Sequence, residues 1–131
     1  MTLSLSLSDR QQIAEAAQAA FPQECCGLLI GTDGRVNRVV AARNLRAEPD
    51  RFELDPALHL KIQRELRGTA ERVIGHYHSH PNGHALPSQV DLAEAYDPGL
   101  VWVIAATDGQ AVEIAAFEFD GTEFKALALT P

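Results

Sequence analysis

The chain has 131 residues, 46% hydrophobic and 22% charged, with a formal net charge of −7. That length suits one domain with its own core, and the net acidity argues against a nucleic-acid partner. No apolar run approaches the roughly 18 residues that cross a bilayer, and the first residues lack the basic start and long apolar stretch of a secretory leader, so no membrane association is expected and the cytoplasm is the expected compartment.

Ser8-Asp9-Arg10-Gln11 reads as a capping box opening a helix. Its apolar stripe runs through Ile13, Ala16, Ala17 and Ala20 and stops at Phe21-Pro22. Cys25 and Cys26 are the two cysteines; neighbours rarely bridge each other and neither has a partner elsewhere, so both are expected as buried thiols. Gly27 to Ile30 reads as a buried strand, Thr32-Asp33-Gly34-Arg35 as a turn, and Val36 to Ala42 as the returning strand of a hairpin. Asn44 to Asp50 reads as loop, and Arg51 to Leu54 as a brief edge strand. Residues 35–72 carry nine bases against six acids, which reads as a solvated helix face or a partner surface.

Asp55-Pro56 starts a second helix, lined by Leu58, Ile62 and Leu66 and ended at Gly68, with His59 on its exposed side. Arg72 to His80 is a strand and its exit. Ser88 to Tyr96 is a short helix stopped by Asp97-Pro98-Gly99. Leu100 to Ala106 is the most apolar run and a central strand. Turns at Asp108-Gly109 and Asp120-Gly121 separate it from strands at Ala111 to Phe119 and Thr122 to Leu129. Helices interleaved with strands, then antiparallel hairpins, predict an α/β fold: one layered domain with a mixed β-sheet flanked by helices.

The stretch His76-Tyr77-His78-Ser79-His80-Pro81 carries the chemistry. Residues two apart on a strand share a face, so His78 and His80 can reach one metal ion together. Asp91 offers a third ligand, and three protein ligands leave a fourth tetrahedral position for water. A competing reading exists, because Ser88-x-x-Asp91 is also a capping-box pattern that would use the same carboxylate.

His78-Ser79-His80-Pro81 with Ser88-x-x-Asp91, preceded upstream by Glu24-Cys25-Cys26-Gly27-Leu28-Leu29-Ile30-Gly31, resembles the split motif of the JAMM (Jab/MPN-domain) metalloproteases in their small prokaryotic form. The resemblance covers nearly the whole chain and implies one Jab/MPN domain over residues 1–131, of cytidine-deaminase-like (Jab/MPN) fold with the metal at the sheet edge. It implies His78, His80 and Asp91 as ligands of one zinc ion per chain. It implies Glu24 as the general base that takes a proton from water and passes it to the leaving amine, and Ser88 as donor to the oxyanion. Neither cysteine is needed. The implied partner is a ubiquitin-like β-grasp sulfur-carrier protein with a Gly-Gly C-terminus, cut after its last Gly, its tail lying beside a sheet edge as an added strand. Removal of Lys-conjugated tags is the alternative substrate, and a non-catalytic MPN scaffold the alternative class. His76 departs from the family's bulky apolar or aromatic residue and is expected as a supporting or core residue; His84 is expected at substrate or in solvent. Nucleobase deaminases, zincins and metallo-β-lactamases need motifs that this sequence lacks.

Overall fold

A computed structural model describes residues 1–49, 51–95 and 97–131; Asp50, expected in a loop, and Tyr96, expected at a helix end, lie outside the described residues. The chain begins with a strand not expected from the sequence, β1 (Thr2–Ser4). Leu3 and Leu5 are fully buried, and Leu5 N–H donates to Thr130 O at 2.8 Å. That anchor turns the chain at Ser6, so Ser6 rather than Ser8 caps helix α1 (Leu7–Ala20), its hydroxyl accepting Asp9 N–H at 3.0 Å. Ile13 and Ala17 are the residues of the expected stripe that are buried.

β2 (Cys26–Thr32) and β3 (Arg35–Ala42) form the expected hairpin, with Gly34 at φ 73° in its turn. The edge strand expected at residues 51–54 is reduced to a single antiparallel bridge between Asn44 and Leu54. The Asn44 side chain takes up the backbone groups of Arg46, Arg51 and Glu53 that a strand ladder would use. Asp55 caps α2 (Pro56–Glu65), accepting Ala57 N–H at 3.0 Å, and Ile62 and Leu66 bury against Leu28 and Ile30. β4 (Arg72–His80), α3 (Gln89–Glu94), β5 (Val101–Thr107), β6 (Val112–Phe119) and β7 (Phe124–Thr130) complete the order.

The strands form one mixed sheet ordered β1-β3-β2-β4-β5-β6-β7. β4 and β5 run parallel, their neighbours antiparallel, and β1 pairs in parallel with both β7 and β3, so the ends of the sheet meet. α1 covers one face over an apolar core of Leu3, Leu5, Ile13, Leu29, Tyr77 and Val103. α2 covers the other, over β2 and β4. β4 bulges against β2 at the Leu29/Ile30 step, where Gly75 and Val73 pair with consecutive residues. The extra residue, Ile74, resets the alternation, so Ile74 and Tyr77 join the α1 side while Val73 and the three histidines face α2.

Candidate active site

β4 is an interior strand: His78 pairs with Cys26 of β2 on one side and with Ile104 of β5 on the other. The expected edge position is therefore corrected. The site sits at the end of central strands, and both sides of β4 at His78 are already paired, which leaves no place there for an added strand. Glu24 precedes β2 by two residues and is 5% exposed. Two contacts fix its backbone. Ser79, fully buried, accepts Cys25 N–H on its hydroxyl at 2.8 Å and donates its own N–H to Cys25 O at 3.0 Å. Asn44 Nδ2 donates to Glu24 O at 2.9 Å.

The expected trio comes together. His78 Nε2 and His80 Nε2 are 3.0 Å apart, Asp91 Oδ2 is 3.0 Å from His80 Nε2, and Asp91 Oδ1 is 3.4 Å from His78 Nε2. His78 is fully buried, and His80 and Asp91 are 4% exposed. His80 Nδ1 lies 3.1 Å from the His84 carbonyl, an acceptor, so Nδ1 carries the proton and the Nε2 lone pair faces the other two groups. With His78 in the same tautomer, the three groups present electron pairs to one another, an arrangement that a cation between them satisfies. Ligands of a tetrahedral zinc with bonds of about 2.0–2.1 Å stand about 3.3 Å apart, close to these separations. His78, His80 and Asp91 could hold a metal ion on both chemistry and spacing. The three groups are also electrostatically coupled. Burial works against ionising Asp91, yet the two imidazoles hold its carboxyl well below the usual carboxylate range. Burial also works against a charge on His80, but the Asp91 carboxylate outweighs it and raises the pKa.

Ser88 caps α3, with a full capping box: its hydroxyl accepts Asp91 N–H at 3.0 Å, and Asp91 Oδ2 accepts Ser88 N–H at 2.9 Å. The two readings of Asp91 do not compete as the sequence suggested. One carboxylate has enough lone pairs to cap the helix and face both histidines at once. The same division applies to Ser88, whose lone pair serves Asp91 and whose hydroxyl proton remains to be donated.

Glu24, His80 and Ser88 share a cleft of about 370 Å³ walled by Phe21, Pro22, Pro49, Pro81 and Val90. A second cavity of about 510 Å³ lies along the same face, lined among others by Leu28, Phe52, Leu54, His76 and Trp102. Phe52 stacks on His78, with centroids 4.2 Å apart and planes 15° from parallel. Its role was not legible, since only the fold brings the Arg51–Leu54 segment over β4. His76 is a buried supporting residue as expected, set edge-on against Trp102 at 4.3 Å, and burial pushes its pKa down to about 3. Neither His76 Nε2 nor His78 Nδ1 has a hydrogen-bond partner among the described residues. His84 contributes its backbone carbonyl and leaves its side chain exposed. His59 is half-buried and lines the second cavity, not the exposed helix side. Cys26 is buried and Cys25 half-buried, both free; burial raises both thiols, Cys26 to about 12.

The sequence profile of the family described as prokaryotic homologs of the JAB domain matches residues 7–120. A desampylase of Haloferax volcanii is 36% identical over 135 residues, covering 97% of this chain and 94% of that protein. A probable TtuB-protein conjugate cleaving protease of Thermus thermophilus is 37% identical over 89 residues, 67% of this chain and 59% of that protein. The solution structure of a Desulfitobacterium hafniense protein superposes with a TM-score of 0.87 at 29% identity, covering 98% of this chain and 92% of that one. With a profile match across most of its length and a relative aligned almost end to end, this chain belongs to the prokaryotic JAB-domain family.

Proposed function

We propose that residues 1–131 act as one JAMM-type zinc metallopeptidase domain in the cytoplasm. It hydrolyses the amide bond after the C-terminal Gly of a ubiquitin-like sulfur-carrier protein. The observation that carries this reading is the buried trio of His78, His80 and Asp91 at the wall of a cleft that also holds Glu24 and Ser88. A non-catalytic scaffold has no use for that assembly. Removal of conjugated tags, the alternative substrate of the sequence reading, is supported by the Thermus thermophilus relative, named as a probable TtuB-protein conjugate cleaving protease.

His78, His80 and Asp91 would hold one zinc ion, which supplies Lewis-acid activation of water and of the scissile carbonyl. Glu24, at the cleft wall, takes the proton of the attacking water and returns it to the leaving nitrogen. Ser88 turns its hydroxyl proton to the developing oxyanion while its lone pair stays on Asp91 N–H. The carrier's tail enters between Phe21-Pro22 and Pro81-Val90, walls that favour the slender backbone of a Gly-Gly end. The thiols stay protonated near neutral pH and take no part.

The test is cleavage of carrier fusions that differ only in the group attached after Gly-Gly: a lysine conjugate, a peptide and a single cysteine. The purified protein should carry about one zinc per chain. A strong chelator should abolish cleavage and added zinc restore it, with the circular-dichroism signal of the folded sheet retained throughout. Metal-free protein working at the full rate would overturn the reading.

A further inference from the structure

Asn44 stands two residues beyond β3, in a segment that reads from sequence only as loop. Its side chain makes four hydrogen bonds, all to backbone. Nδ2 donates to Glu24 O at 2.9 Å and to Arg51 O at 3.2 Å; Oδ1 accepts Arg46 N–H at 2.9 Å and Glu53 N–H at 3.0 Å. An amide can do no more. The described residues of segment 45–53 are thereby clasped near both ends, and they supply Pro49 to the catalytic cleft and Phe52 to the ring of His78. One side chain joins the backbone of Glu24 to the loop that borders the path of the substrate.

From this connection we infer that Asn44 is a positioning residue for the hydrolysis proposed above: by tying the Glu24 carbonyl to the clasped segment, it sets where the Glu24 carboxylate stands against bound substrate. The inference rests on Glu24 being the proton acceptor. A plain loop staple would need only the bonds to Arg46, Arg51 and Glu53. The bond to Glu24 is the one that reaches the chemistry.

Asn44→Asp breaks the tie to Glu24, together with the bond to Arg51, while sparing the other two bonds. It keeps an oxygen for Arg46 and Glu53 and replaces the nitrogen with an oxygen that repels the carbonyls of Glu24 and Arg51. In the zinc-loaded full chain, kcat for a carrier fusion should fall about 10- to 100-fold, the scale of a misplaced catalytic group, with KM and zinc content held. In a Glu24→Gln background the same change should cost nothing further, because its effect runs through the carboxylate. A kcat within about twofold of wild type, or losses that multiply in the double variant, overturns the inference. Amide exchange gives a readout independent of turnover. Residues 24–26 should exchange faster in Asn44→Asp while Arg46 and Glu53 stay protected, and unchanged exchange at 24–26 overturns the tie. In the wild-type chain the Asn44 side-chain amide protons should exchange slowly; exchange at the solvent rate would refute the clasp without any variant. Should wild type cleave no carrier fusion, the proposed function falls by itself, and the exchange comparison still decides for or against the tie.

Discussion

β2, β4 and β5 send alternate side chains to two faces, and the two faces are filled by different rules. Toward α1 stand Leu29, Ile74, Tyr77, Val101, Val103 and Ala105, all buried in one apolar cluster. Gly27 belongs to that side: a Cβ there would collide with the phenol end of Tyr77. Toward α2 the same strands grade from Leu28, Ile30 and Val73, through His76 and Trp102, to His78 and His80. One face can bury imidazole and carboxylate because the other supplies the apolar burial that holds the strands. A polar group buried without adequate partners costs on the order of 1–3 kcal/mol, a sum that a dry aliphatic layer can offset.

Substitutions on the two faces should therefore fail in different ways. The largest effect belongs to Asp91→Ala, which leaves two of the three proposed protein ligands and removes the Asp91 half of the α3 capping box: zinc measured by mass spectrometry and cleavage should both be lost, with the sheet still folded. A fully zinc-loaded Asp91→Ala protein would return Asp91 to capping alone. Next is Glu24→Gln, expected to keep zinc and substrate binding while single-turnover cleavage drops about 10²- to 10⁴-fold, the range of positioned general-base catalysis. Turnover near the wild-type rate would remove Glu24 from the chemistry. On the opposite face, Leu29→Ala should cost about 3 kcal/mol in denaturant unfolding, as fully buried leucines do, while the folded fraction keeps its zinc and its kcat. Loss of zinc in step with stability would mean that the faces are not separable. The smallest effect is expected from replacing Cys25 and Cys26 together with Ala: stability falls by about 1 kcal/mol per lost thiol, and kcat stays within about threefold. A folded, zinc-loaded double variant without turnover would overturn the water-activating mechanism.

Much of this contrast could be read from the sequence because strand alternation is a local rule. His78 and His80 two apart, the hairpin at Gly34 and the Asp55-Pro56 helix start are each set by neighbouring residues, and each stands as expected. The misses share a cause. The start of α1 at Ser6 depends on Leu5 being pinned to Thr130, more than a hundred residues away. The alternation of Leu3 and Leu5 with serines was a visible strand signal, but a three-residue strand has meaning only when β7 lies beside it. Asn44, Phe52 and Ser79 act on Glu24, His78 and Cys25 across the fold, and no spacing along the chain announces such pairs. The bulge in β4 likewise appears only as a mismatch against β2.

The shared carboxylate of Asp91 has a consequence for thermodynamic linkage. A helix of six residues is far too short to persist by its own backbone bonds, so α3 depends on its cap and on the walls it leans against. If Asp91 ligates the proposed metal as well as capping, the free energy of cation uptake is in part the free energy of ordering α3, and through it of presenting Ser88. Apo protein would then lack more than its Lewis acid: its oxyanion donor would fray as well. A foreign ion preferring another coordination geometry would pull Asp91 and so tilt the hydroxyl it holds. On the proposed ligand set, metal selectivity would be written partly in helical order, and amide exchange within Gln89–Glu94 should titrate with metal occupancy.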